Sequence, residues 1–115
     1  MIVKIEKFND YQKEAKKLDI YPRNKEGILA HTLGLGNEAG EVLGKLKKCI
    51  RDLESDFNHP ILKEDIKKEL GDTLWYLANV AEDFGITLEE IASYNIYKLL
   101  DRKSRGTLQG TGDNR

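Results

Sequence analysis

The chain has 115 residues, 34% charged and 39% hydrophobic, with a formal net charge of −1. That length supports one domain without a second core, and the near-neutral balance argues against a general nucleic-acid binder, which carries a strongly basic patch. No window approaches the ~20 apolar residues of a membrane span, so no membrane association is expected. The start, MIVKIEKFNDYQ, carries charges where a cleavable signal would be apolar. The single cysteine, Cys49, cannot pair within the chain, which fits a reducing cytosol and a cytoplasmic protein. Cys49 itself reads as a small buried or half-buried helix residue.

Phe8, Tyr11, Ala15 and Leu18 recur at helical spacing, predicting a first helix over 8–19 with Asn9 or Asp10 as its cap. Tyr21-Pro22-Arg23-Asn24 ends it. A second helix is predicted from about Glu26 to Asp52, with Ala39, Val42, Leu43, Leu46, Ile50 and Leu53 as its apolar stripe and Gly34 and Gly36 as points where its front part breaks or bends. After Pro60, a third follows Leu62, Ile66, Leu70, Leu74, Leu77, Ala81 and Phe84 until Gly85 stops it. Thr87 and Glu90 form a capping box for a fourth, carried to about Lys103 by Leu88, Ile91, Ala92, Ile96 and Leu99.

No segment alternates long enough for a strand, so the predicted class is all-α, a four-helix bundle-like domain over 1–103 with a glycine-rich basic tail over 104–115. Apolar residues left over, such as Val80 and Leu100, suggest that a second copy completes so small a core.

Two acidic motifs carry the functional information. Glu38 and Glu41 form Glu-x-x-Glu in LGLGNEAGEVLGK, and Glu69 and Asp72 form Glu-x-x-Asp in IKKELGDTLWYL. Residues three apart share a helix face, so each motif aims two carboxylates in one direction. Packed helices would gather four like charges, which repel unless a cation neutralises them. An all-oxygen set suits Mg²⁺, or Mn²⁺ in its place, and Mg²⁺ commonly joins carboxylates to substrate phosphates. Helical di-iron sites need Glu-x-x-His on two helices, and neither His31 nor His59 stands three residues after a glutamate.

Other polar residues share these faces. Lys45 and Lys48 continue the Glu38–Glu41 stripe, either as surface partners of the acids or as phosphate ligands. Gly36, Gly40 and Gly44 each cost about 1 kcal/mol relative to alanine in a helix, so close packing or room for a ligand is expected to offset them. Tyr76 and Asn79 follow Asp72, with Trp75 slightly to one side, as core or as a platform for a base. Asn95, Lys98 and Arg102 make a polar stripe on the fourth helix, and Asn95 interrupts an apolar face, where an unpaired amide costs about 1–3 kcal/mol. Residues 98–115 hold five basic groups against two acids, leaving the first 97 at −4. For His31 a capping or packing role is expected.

Taken in order, EAGE, ELGD-x-LWYLANVA and N-x-x-K-x-x-x-R resemble the MazG-like family of all-α nucleotide pyrophosphohydrolases, from about Tyr11 to Arg115. The 27 residues between Glu41 and Glu69 suit the family's variable insert. The resemblance implies hydrolysis of a nucleoside triphosphate between the α- and β-phosphates, giving the monophosphate and pyrophosphate. It implies that Glu38, Glu41, Glu69 and Asp72 bind Mg²⁺, one of them helping to activate water, and that Asn95, Lys98 and Arg102 hold phosphates. It also implies a homodimer or homotetramer with sites at helix interfaces. Phosphoribosyl-ATP or a pyrimidine deoxynucleotide as substrate, and a non-catalytic module binding a metal-nucleotide complex, are the alternatives.

Overall fold

Each predicted helix forms, with ends set by local chemistry. The computed structural model describes residues 2–115, and these contain four α-helices and no strand: α1 (Phe8–Lys17), α2 (Lys25–Asp52), α3 (Pro60–Asp83) and α4 (Leu88–Ser104). The Asn24 side chain accepts from the Gly27 N–H to start α2, and His59 does the same for Ile61 at α3, where Pro60 needs no donor partner. Thr87 accepts from the Glu90 N–H at the start of α4. Gly85, at φ +66°, ends α3 as expected.

The capping expected at α1 is a correction. Lys7 occupies its N-cap without a side-chain bond. Asn9 instead accepts from the Glu89 N–H, and the Gln12 side chain accepts from Leu88 N–H, so α1 caps α4. Gln12 also donates to the Ile86 carbonyl at 2.9 Å, tying α1 to the α3–α4 turn.

Neither Gly34 nor Gly36 interrupts α2, which runs unbroken past both. Its long axis pairs with α3, and Glu38 meets Asp72 while Lys45 meets Glu69 and His31 meets Asp83, so the two helices run antiparallel. On the far side of α3, α1 packs through Ala15 against Ala78, Ala81 and Leu88, with Tyr11, Trp75 and Leu77 around them. That small cluster is the main core, with Leu62 and Cys49 buried apart from it. Cys49 is buried at the end of α2, its thiol 3.4 Å from the Asp56 carbonyl.

α4 packs chiefly on α1 rather than closing a bundle with α2 and α3. The resulting shape is open, with a radius of gyration of 17.0 Å, against about 13 Å for a compact domain of similar length. Much of the predicted core is therefore uncovered: Leu43, Ile50, Leu70 and Ile96 are each more than half exposed, as is Leu100, one of the apolar residues left over. No helix among the described residues is long and apolar enough to cross a membrane.

Candidate metal centre

The antiparallel α2–α3 pair brings the two acidic motifs face to face. One carboxylate oxygen each from Glu38, Glu69 and Asp72 can be chosen so that all three lie within 4.8 Å of one another. Glu38 and Glu69 are half-buried and Asp72 is exposed, so the cluster opens to solvent on one side. Burial pushes the Glu38 carboxyl up, and the charges of Asp72, Glu69 and Glu41 push it further. Glu41 itself stands outside the three-oxygen group, on the exposed rim.

Such a cluster fits a hard divalent cation. Its donors are all oxygens on two rigid helices, and its mutual repulsion is the kind that a cation removes. Lys45 reaches across the helix pair to 3.7 Å from Glu69, rather than pairing with Glu41 along its own helix. Lys48, exposed, lies toward the end of α2, where its charge helps to lower the Asp52 carboxyl after the stronger bond from Arg51.

The aromatic residues divide. Trp75 packs against the core cluster, its ring nearly perpendicular to those of His31 and Tyr76. Tyr76 stands with the acids: its ring lies against the backbone of Gly34, where a Cβ would collide with it, and its hydroxyl is 3.1 Å from that of Tyr21. The bond to Tyr21, burial and the charges of Glu38 and Asp72 together push the Tyr76 phenol up to about 12. Close packing thus occurs at Gly34, whereas Gly36, Gly40 and Gly44 meet nothing within 4 Å in the chain.

Two residues of this neighbourhood were missed by sequence reasoning. Burial raises the Tyr11 phenol, as does the nearby charge of Asp72. Tyr11 also lines a groove of about 350 Å³ with Ile5, Phe8 and Leu74. In the sequence Tyr21 marks only the end of a helix. Helical periodicity holds no signal for a residue brought in by a turn.

The stripe on α4 is placed differently from expectation. Asn95 is exposed, so its amide interrupts no buried face; it lines an open groove with Ile91, Tyr94 and Lys98. The Arg102 side chain is buried and donates to the Asp113 carbonyl. Arg115 donates to the carbonyls of Thr107, Leu108 and Gly112, so the arginines knit the tail onto the end of α4. Within one chain the basic end does not face the acids, because α4 lies on α1.

The family profile for the MazG nucleotide pyrophosphohydrolase domain matches residues 26–106. The chain belongs to the MazG family. The matched span of this MazG domain includes α2, α3 and α4, and so both acidic motifs. The chain is also similar to the Gene 37 protein of Mycobacterium phage L5, at 39% identity over 110 residues, covering 91% of this chain and 96% of that protein. No solved structure gives a significant match to this MazG domain.

Proposed function

We propose that this MazG domain hydrolyses a nucleoside triphosphate between its α- and β-phosphates, releasing the monophosphate and pyrophosphate, with Mg²⁺ or Mn²⁺ as cofactor. The observation that carries the reading is the meeting of Glu38, Glu69 and Asp72 from two separate motifs, with a lysine beside them, in a MazG family member. Glu38, Glu69 and Asp72 would hold the cation, and Glu41 would extend the set at the rim. When bound, the divalent ion supplies charge neutralisation for the phosphates and lowers the pKa of the attacking water.

The chain's own residues then position and orient. Lys45 is drawn from Glu69 to a phosphate oxygen, with Lys48 further along the same helix. Tyr76 and Trp75 flank the site on the α3 side, and Tyr76 offers its ring toward the sugar or base while its hydroxyl stays on Tyr21. Phosphoryl displacement depends on alignment and charge compensation more than on covalent help, and no side chain here is required as a nucleophile.

Asn95 and Lys98 act in a second copy's site in this reading, since their own α4 turns away from the acids. Apolar faces on α2 and α4 and the open shape support a homodimer or homotetramer in which the bundle closes between chains. Arg102 contributes to phosphate binding only if the tail releases it. Cytoplasmic nucleoside triphosphates are the substrate pool.

The deciding assay screens standard and modified nucleoside triphosphates, phosphoribosyl-ATP and pyrimidine deoxynucleotides for pyrophosphate release, with Mg²⁺ and with Mn²⁺. Release from at least one substrate, abolished by chelator, is expected. Nucleotide binding by calorimetry with no product from any of them would make the protein a binding module.

A further inference from the structure

Tyr21 lies in the turn between α1 and α2, and three separate contacts fix it. Its backbone N–H donates to Asp19 Oδ1 at 3.1 Å, its ring packs at right angles to that of His31 with centroids 5.3 Å apart, and its hydroxyl bonds that of Tyr76. Asp19 is held in turn, because the same Oδ1 accepts from His31 Nε2 at 2.8 Å. The turn is therefore pinned from beneath by a buried ionic cluster.

Tyr76 stands one helical turn beyond Asp72 on α3, and Gly34 stands one turn before Glu38 on α2. The Tyr76 ring, seated on Gly34, fills the gap between the two helices next to the carboxylates. A movement of that ring changes the helix spacing at the point where Glu38 and Asp72 must converge. A phenol seated only by ring packing can slide along a bare glycine. A phenol tethered at its hydroxyl cannot.

We propose that Tyr21 is a positioning residue for the cation site, tethering Tyr76 in the α2–α3 gap so that Glu38, Glu69 and Asp72 keep their convergence. This rests on the reading of those acids as a divalent-cation site. Tyr21 touches neither substrate nor ion, and its effect passes through Tyr76.

The test uses Mn²⁺ alone, titrated by electron paramagnetic resonance into the nucleotide-free full chain, with thermal unfolding measured beside it. Tyr21→Phe keeps the ring on His31 and removes only the hydroxyl. It is expected to weaken Mn²⁺ binding about tenfold, with little change in the unfolding midpoint. Tyr76→Phe breaks the same bond from the other side and should give the same loss, with no further loss in the double variant. Wild-type affinity in Tyr21→Phe, or a loss in Tyr76→Phe alone, overturns the proposal, as does a Tyr21→Phe loss that only follows a large drop in midpoint. A wild-type protein that binds Mn²⁺ but releases no pyrophosphate sinks the enzymatic reading and leaves the positioning role standing. Absence of Mn²⁺ binding to the wild type overturns both.

Discussion

His31 and Asp83 are joined at 2.6 Å across the α2–α3 pair, and the other ring nitrogen of His31 is 2.8 Å from Asp19. Ionised carboxylates only accept, so a ring bonded to one at each nitrogen carries both protons and a positive charge. The ring is 1% exposed, which makes His31 the centre of a buried ion cluster joining α2, α3 and the α1–α2 turn. Asp19 Oδ2 is buried and without a hydrogen bond, with the Arg23 guanidinium 3.9 Å away. Removing one partner of such a cluster strands the others, at a cost of about 3–5 kcal/mol. His31→Gln and Asp83→Asn are accordingly expected to lower stability in urea unfolding by roughly 3 kcal/mol each, and the double variant by less than the sum.

The same cluster sets a pH dependence. Burial acts to lower the His31 pKa, but the hydrogen bonds and charges of Asp19 and Asp83 outweigh it and leave it raised. Stability from a raised histidine is fully present below about pH 6.5, its ordinary value, and is lost as pH rises through the folded value. Asp19 is the mirror case: burial opposes ionisation, the bonds from His31 and the Tyr21 N–H prevail, and its pKa is lowered. Its contribution is present above about pH 4 and is lost as pH falls through the depressed value. Urea midpoints measured across pH should decline on both limbs, and His31→Gln should flatten the alkaline one.

The crowded carboxylates at Glu38, Glu69 and Asp72 predict opposite effects with and without a cation. In chelator, Asp72→Asn removes a repulsion and should raise the thermal midpoint slightly, by no more than the equivalent of about 1 kcal/mol. With Mg²⁺ present, the same variant should abolish pyrophosphate release while the helical circular-dichroism signal stays intact. Glu41→Gln also lowers turnover but weakens Mn²⁺ binding less, since Glu41 lies outside the three-oxygen group. Retained turnover in both variants would sink the enzymatic assignment.

Alanine substitutions on α2 separate close packing from open surface. At Gly34 the new methyl collides with the Tyr76 ring, and the overpacking cost of about 1–3 kcal/mol should outweigh the gain in helix propensity. At Gly36 nothing lies within 4 Å, so alanine should stabilise by about 0.5–1 kcal/mol. Thermal unfolding of the pair is the measurement, and a destabilised Gly36→Ala would locate a contact with a second copy there.

Complementation tests assembly. If α4 of one chain serves the acids of another, a mixture of Asp72→Asn and Lys98→Ala chains should recover turnover that each lacks alone. Leu100→Glu, at an exposed apolar position, should shift the protein to monomer in light scattering and remove that recovery. Recovery by neither mixing nor refolding together would remove Lys98 from another chain's site.

Helix number, most helix ends and the two acidic motifs were legible in the chain itself, because they depend on neighbours three or four residues apart. Caps at Thr87 and Gly85, the stripe through Leu62 and Ala81, and the shared faces of Glu38 with Glu41 and Glu69 with Asp72 are properties of single helices. Partnership between helices is not such a property. Only the tertiary structure seated Tyr76 on Gly34, drew Tyr21 in from a turn, gave Asn9 to α4 instead of α1, and laid α4 on α1 so that Arg102 binds its own tail. Periodicity states which side of a helix is polar. Which polar groups then meet, and at what distance, is decided by the packing of separate elements.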